Sequence, residues 1–351
     1  MNVLMVGVDS KRVGGMWTVA ETYIKNKKYN QHVNLIYIPT ITAGSLLKRS
    51  FFMLNAYRRV LWVLCTYNID LVHIHMAEKG STFRKGLIAK WGRWTNKKVV
   101  IHLHAGPFMS WYTTQGQKRK KCIKNIFACA NRVCVLGKYW KIQLTDLVQP
   151  EKLVVLYNGV PCPKANPYNK AAKNIVYLGV MLKTKGIYDL IEAIGQIEDS
   201  LPSEVQLQLC GVDLEGDIAE IIAKKKLSGR IKLLGWIDQQ EKENIFQGAM
   251  MVVLPSYFEG LSMTVIEAMA HGIPVITTNI STMPELLGLD TDLIEPGDVK
   301  SLGEYILKLS MDAHERSKIS TKVFERAKNF FSEDSFIDKT LSVYKECEND
   351  Y

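Results

Sequence analysis

Residues 256–279 read SYFEGLSMTVIEAMAHGIPVITTN. Two carboxylates, Glu259 and Glu267, stand eight apart in a run that is otherwise small and apolar. The preceding MMVVLPS has the composition of a short buried strand. Residues 257–261 then make a loop at its carboxyl end. Ser262 is positioned to cap a helix over MTVIEAMAH, Gly272 to end it in a left-handed conformation, and Pro274 to forbid its continuation. PVIT opens the next strand. Glu259 is therefore expected just before the helix, and Glu267 more than a turn inside it.

A strand, a loop and a helix in that order are the unit of an open parallel sheet, whose ligands bind at the carboxyl ends of the strands. Backbone N–H groups over residues 260–264 offer an anion site at the helix start, and Gly260 leaves it open. A pyrophosphate suits that place. A carboxylate on either side would reach hydroxyl groups beyond the phosphates, and each can accept two hydrogen bonds from a vicinal diol. The ligand so described is a nucleotide sugar. The plainer reading is a capping acid and a solvent-facing helix acid. Against it, Glu267 stands between Ile266 and Ala268 on a helix whose composition is that of a buried one.

Working outward, strand-like runs alternate with helical stretches along the whole chain. NVLMVGV, VNLIYIP, IDLVHIH, KVVIHLHA, RVCVLG and LVVLYNGV lie in the first half. NIVYLGV, VQLQLCG, IKLLGWI, MMVVLPS and IPVITTN lie in the second. Alternation of this kind predicts parallel sheets covered by helices on both faces. Eleven strands and 351 residues exceed one comfortable core, so two doubly wound α/β domains are expected. The proline-rich 157–174 segment marks the boundary. The domains run 1–163 and 164–331, with a terminal helix at 332–351 whose apolar Phe336, Leu341 and Tyr344 need a surface to cover.

Several classes are excluded. No apolar run reaches the length of a membrane-spanning helix. The start MNVLMVGVDS lacks the pattern of a secretory signal and reads as a first strand. Seven scattered cysteines without a CxxC pair suit reduced thiols in a cytoplasm.

FEGLSMTVIEAMAHGIPVI resembles the E-x7-E motif of retaining glycosyltransferases of family 4, which have the GT-B fold of two Rossmann-like domains facing each other across a cleft. VGGMWTVAE, VIHLHAGPF, VLYNGV, YLGVMLKTKGIYDLIEA, LLGWID and the terminal LSVYKE agree in order, so the resemblance spans essentially the whole chain. It implies that Glu259 holds donor sugar hydroxyls and Glu267 the ribose diol. The backbone of Gly260, Leu261, Ser262 and Met263 would meet the distal phosphate and sugar. Gly15 would let the first Gly-Gly turn approach the diphosphate, and Lys185 would neutralise phosphate charge. Trp236 and Ile237 would lie beside the base, and His104 beneath the donor sugar as a catalytic-site group. The sequence departs from the family at Val180, where an arginine is usual. Lys183 can supply a charge there, though without the bidentate fork of arginine.

Charge divides unevenly. Residues 1–165 hold 26 Lys and Arg against 6 Asp and Glu, while the remainder holds 19 against 29. The first half is therefore expected to face something anionic. Lys48, Arg49, Arg58 and Arg59 stand among Phe51, Phe52 and Trp62, and Trp91 and Trp94 flank further cations. Aromatics beside cations suit an interface of lipid tails and anionic headgroups. No nucleic-acid motif is present, so nucleic acid is not an expected partner. His73 and His75 end one strand and His102 and His104 the next; lacking an acid or thiol beside them, they are read as core and sugar-contacting residues rather than a zinc site. Asp290-Thr291-Asp292 is read as a solvated turn, and no metal or cofactor is expected.

The expected function is transfer of a sugar from a nucleotide diphosphate sugar, a UDP-sugar in the first instance, to a lipid-linked glycan acceptor. The setting is bacterial surface-polysaccharide assembly on the cytoplasmic face of the cell membrane, with the protein attached peripherally. Two alternatives are a sugar-nucleotide epimerase of the same fold and a non-enzymatic binder of anionic lipid or nucleic acid. The first would need acid/base carboxylates in a half that has only six acids. The second predicts no donor hydrolysis.

Overall fold

A computed structural model of the chain describes residues 1–11, 14–104, 106–288 and 293–349. Eleven strands form two separate parallel sheets among these residues, one in each of two compact units. The first unit comprises Met1–Gly159 and Glu333–Tyr351, the second Val160–Ser332. These divisions differ slightly from the expected 163/164 and 331/332. The two crossing stretches pair with each other: the Val160 N–H donates to the Phe331 carbonyl at 2.8 Å, and Val160 bridges Ser332. The proline-rich stretch that follows is not a free linker. Tyr168 Oη donates to the Met250 carbonyl (2.9 Å) and Asn166 Nδ2 to Ser320 Oγ (3.0 Å), which tie it to the second unit.

The first sheet contains β1 (Asn2–Gly7), β2 (Asn34–Pro39), β3 (Leu71–Met76), β4 (Lys98–Leu103), β5 (Arg132–Val135) and β6 (Leu153–Val155), in the order β2-β1-β3-β4-β5-β6. The order reverses between β1 and β3, where two neighbouring strands send their connections to opposite faces and leave a crevice at their carboxyl ends. β1 and β3 are buried on both faces because helices cover both, and one face of β3 carries His73 and His75. The closing helix Glu333–Asn349 packs Phe336, Ile337, Val343 and Tyr344 into the same core as Val3, Met5, Tyr23 and Tyr29. Each such buried side chain contributes about 1.5–3 kcal/mol. Hydrogen bonds fix its register: Tyr23 Oη with Thr340 Oγ1 at 3.0 Å, and Tyr29 Oη with Tyr344 Oη at 3.2 Å.

The second sheet contains β7 (Asn174–Leu178), β8 (Gln206–Cys210), β9 (Ile231–Gly235), β10 (Ala249–Leu254) and β11 (Val275–Thr277), in the order β11-β10-β7-β8-β9. Its reversal falls between β7 and β10. The loop after β10 and the Lys183–Lys185 turn beyond β7 thus meet at the switch point. Among the described residues no helix is long and apolar enough to cross a membrane.

Candidate active site

The acidic pair is built as the spacing predicts. Ser262 precedes the helix Met263–Ala270 and its hydroxyl accepts from the Val265 N–H. Gly272 ends the turn at φ 66°. Glu259 lies in the loop before the helix and Glu267 inside it.

Glu259 is buried, with 8% of its surface exposed. Lys185 Nζ approaches its Oε1 at 2.6 Å, and Ser256 Oγ donates to the same oxygen at 2.9 Å. Hydrogen bonds to the main chain tie this loop to its neighbours. The Tyr257 N–H donates to the Thr184 carbonyl (2.9 Å), and Ser281 Oγ donates to the Glu259 carbonyl (2.6 Å). Gly186 is required here: its φ is 69°, and an added Cβ would stand 1.9 Å from the Pro255 carbonyl oxygen. Only a residue without a side chain lets the β7 loop lie against the β10 loop.

Glu267 has its own cation. Lys242, on the helix Gln239–Gln247, places Nζ 2.9 Å from Glu267 Oε1, and both side chains are largely buried. His271 joins the same corner, with Nδ1 2.8 Å from the Glu267 carbonyl and Nε2 2.9 Å from Glu243 Oε2. Each carboxylate is thus held by a lysine from a different element. Gly260, Leu261 and Met263 are partly exposed at the loop's end, and Ser262 is buried beneath it. Lys183 is exposed and makes no ion pair among the described residues, while Val180 is 39% exposed. Beyond β9, Trp236 is 70% exposed and Ile237 is partly covered.

The remaining site candidates lie in the first unit. Gly15 opens the helix Gly15–Lys25 behind Gly14, whose φ is 148°. His104 follows β4, partly exposed, with its Nε2 2.7 Å from His75 Nδ1. Behind it His73, His75 and His102 are wholly buried. His73 Nδ1 meets Tyr344 Oη at 2.6 Å. Burial, reinforced by the neighbouring rings, holds His73 and His75 well below the usual imidazole range and pushes His102 down to about 3. His104 is shifted the same way, by burial first and by His102 and Lys85 next. A neutral imidazole of this kind donates or accepts a hydrogen bond but is a poor base at neutral pH. One ring nitrogen from each of His73, His75 and His102 lies within 4.8 Å of the others. Residues 290–292 lie outside the described residues.

The expected lipid-facing residues divide. On the helix Leu46–Thr66, Leu47, Phe51, Leu54 and Trp62 are 56–85% exposed, and Lys48, Arg49, Arg58 and Arg59 are exposed with them. Trp94 is 76% exposed. Phe52 and Trp91 do not fit the expectation. Both are half-buried, and Trp91 packs edge-on against Tyr57 with centroids 5.4 Å apart. The Trp91–Tyr57 contact joins the helices Leu46–Thr66 and Gly80–Trp94.

Sequence reasoning missed Lys242, Ser256 and Ser281. Lys242 sits in a helix identifiable by its Asp238/Glu241 capping box, but nothing in its spacing points at Glu267.

Two families match the chain in succession. Residues 19–163 match the family described as Glycosyltransferase Family 4, and residues 163–326 match Glycosyl transferases group 1. The chain is 28% identical over 306 residues to the Escherichia coli UDP-Gal:alpha-D-GlcNAc-diphosphoundecaprenol alpha-1,3-galactosyltransferase, covering 80% of this chain and 76% of that one. It is 28% identical over 173 residues to the Escherichia coli O-antigen chain mannosyltransferase B, covering 48% and 45%. Among solved structures, Anabaena HepE in complex with UDP superposes with a TM-score of 0.76 at 16% identity, over 99% of this chain and 100% of that one.

Proposed function

The chain belongs to glycosyltransferase family 4 and has the GT-B fold, and on that premise we propose that it transfers a sugar from a UDP-sugar to a lipid-linked glycan with retention of anomeric configuration. It is a glycosyltransferase of bacterial polysaccharide biosynthesis. The finer reading rests on one observation above all: Glu259, buried beside a helix start, has its carboxylate held by Lys185 and Ser256, with Glu267 held by Lys242 farther along the same helix. A carboxylate already oriented and charge-balanced accepts hydroxyl hydrogen bonds without reorganising.

In this reading the acceptor hydroxyl oxygen bonds to the anomeric carbon on the face from which the bond to the diphosphate oxygen breaks, and the hydroxyl proton passes to the departing diphosphate oxygen. The leaving diphosphate carries the developing charge, and Lys183, Lys185 and the amides at the Met263–Ala270 helix start are the groups suited to stabilise it. Glu259 orients sugar hydroxyls and Glu267 the ribose. His104, held neutral, donates or accepts a hydrogen bond at the sugar. No metal takes part. Two relatives support the donor and acceptor classes: the Escherichia coli galactosyltransferase is named for UDP-Gal and a diphosphoundecaprenol-linked acceptor, and the Anabaena structure holds UDP. The exposed apolar and basic side chains of the Leu46–Thr66 helix suit the inner face of an anionic membrane.

Incubation with a panel of nucleotide sugars tests the reading. Slow hydrolysis of one UDP-sugar is expected, with most of it lost in Glu259→Gln, and transfer to a lipid-linked acceptor should yield the donor's own anomer by NMR. Hydrolysis unaffected by Glu259→Gln would overturn the assignment of that carboxylate.

A further inference from the structure

The helices Gln239–Gln247 and Met263–Ala270 are joined by two polar contacts. Lys242 reaches Glu267, and its neighbour Glu243 reaches His271, one turn further along the second helix. Phe246 backs the second contact: it is buried, and its ring centroid lies 4.9 Å from that of His271. The first helix begins directly after Ile237, the segment expected beside the base, with Asp238 as its N-cap. The paired helices therefore connect the base-side loop to the carboxylate read as the ribose's partner.

The second contact depends on a proton. His271 Nδ1 lies 2.8 Å from the Glu267 carbonyl oxygen, which can only accept, so Nδ1 carries a hydrogen. Nε2 lies 2.9 Å from Glu243 Oε2. A ring protonated at Nδ1 alone would turn the Nε2 lone pair onto that carboxylate, so a second proton belongs between Nε2 and Oε2. Glu243 is not free to turn aside, because Gln239 Nε2 donates to its Oε1 at 3.1 Å. His271 also caps the carboxyl end of its helix, where a positive ring is favoured. The groups facing the ring are the Glu243 carboxylate and the Glu267 carbonyl, with the Glu267–Lys242 pair one contact away. The helix Ala313–Phe330 packs on Met263–Ala270 too, and none of its charged side chains pairs with His271 or Glu243 among the described residues.

Lys242 holds Glu267 Oε1 at 2.9 Å, which leaves Oε2 for a hydroxyl. Where Lys242 stands depends on how its helix sits against the helix of Glu267, and the His271–Glu243 contact sets that. We propose that His271 is a positioning residue for ribose recognition: through a proton shared with Glu243 it locks the Gln239–Gln247 helix against the helix of Glu267. Loss of that proton as the pH rises sets a lone pair against a carboxylate, parts the two helices and lets Lys242 draw Glu267 off the diol. Preference for the ribose diol is therefore strongest when the proton is bound. The inference rests on the transferase reading above and concerns how its ribose carboxylate is held.

UDP and 2′-deoxy-UDP are the probes, with affinities measured by calorimetry at about pH 6 and about pH 8.5, towards either end of the range in which histidine changes charge. The ratio of the two affinities cancels the titration of the diphosphate, which both ligands share. In the wild type UDP should be favoured about tenfold at the lower pH and about twofold at the higher, a loss of about one net hydrogen bond. His271→Leu should give the lower ratio at both. Glu243→Gln should instead raise the ratio at the higher pH above that of the wild type, because an amide nitrogen donates to the unprotonated ring. Misfolding cannot mimic that gain. His314→Gln removes the other histidine of the second unit, an exposed one, and should follow the wild type. A wild-type preference that is the same at both pH values, or that survives in His271→Leu, would overturn this inference alone. A wild-type ratio near one at both pH values, or one that Glu267→Gln leaves unchanged, would overturn the ribose assignment beneath it. Failure to bind UDP at all would overturn the transferase reading with a UDP-sugar donor.

Discussion

Lowering the pH from 7.5 to 5.5 should destabilise the first unit by about 4 kcal/mol. His73, His75 and His102 have no exposed surface, and burial keeps each imidazole neutral far below its ordinary range. Lys85 adds its charge beside His75, while Tyr23 and Tyr344 pack against the rings without supplying a carboxylate. In the unfolded chain these histidines titrate near 6.5. Because the folded values are depressed, the stability is present well above pH 6.5, begins to fall as the pH approaches the unfolded value and goes on falling towards the folded values. Each ring costs about 1.4 kcal/mol over this interval, so three cost about 4. That is a large part of a domain's usual 5–15 kcal/mol. Partly exposed His104 is left out of the sum. Hydrogen exchange by mass spectrometry, corrected for intrinsic rates, separates the units: β3 and β4 peptides should lose this protection, and β7 and β10 peptides much less. His102→Leu should reduce the loss to about 2.7 kcal/mol. Both nitrogens of His102 lack a partner among the described residues, so its removal should cost little at pH 7.5. A drop below about 1.4 kcal/mol in the wild type would mean that these rings take up protons in the folded state, and the reasoning would fail.

Lys242→Met should raise the donor KM about tenfold with a smaller effect on kcat, and Lys242→Arg should recover part of it; an unchanged KM removes Lys242 as the positioning residue of Glu267. Gly186→Ala should cost about 3 kcal/mol or more, because it combines a positive φ with a clash against the Pro255 carbonyl, and an unchanged melting temperature for the second unit contradicts that geometry. EDTA should leave donor hydrolysis unaltered, and its abolition, with recovery on adding a divalent ion, would require a metal in the reaction. Anionic vesicles should sediment the protein, more weakly in high salt and more weakly in Leu47→Ser/Phe51→Ser, whereas equal binding to neutral vesicles would exclude an electrostatic component.

The parallel sheets were legible because the eleven strands are short, rich in Val, Ile and Leu and bounded by turn residues. The capped helix at Ser262 and its left-handed end at Gly272 were legible for a local reason: both depend on residues within one turn. What escaped depends on pairings distant in the chain. Lys242 reaches Glu267 from 25 residues away, and Lys185 reaches Glu259 from 74. The Lys185 position was flagged by resemblance, but its ion pair was not. The contact of Trp91 with Tyr57 was not legible because an aromatic between cations has the same local sequence whether it faces lipid or a neighbouring helix. The boundary expected at 163/164 coincides with the change of family match at residue 163, while the compact units divide at 159/160, where Val160 pairs with Phe331 and Ser332 far away in sequence.

The cation balance at the donor loop bears on Val180. An arginine there would provide two donors in a plane, and valine provides none. Lys185 does not make up the difference, because its ammonium already lies 2.6 Å from Glu259. Lys183 is the cation of that turn without an ion-pair partner among the described residues, and it offers a point charge on a flexible stem. A diphosphate held this way depends more on the amides at the helix start than one gripped by a guanidinium fork. Those amides are fixed by the Gly186 approach and by the Ser281 and Thr282 hydroxyls on the Glu259 and Gly260 carbonyls. The loop is therefore braced from both sides where its side-chain cations are few, and donor binding should be more sensitive to backbone changes at Gly186 and Ser281 than to neutralising Lys183.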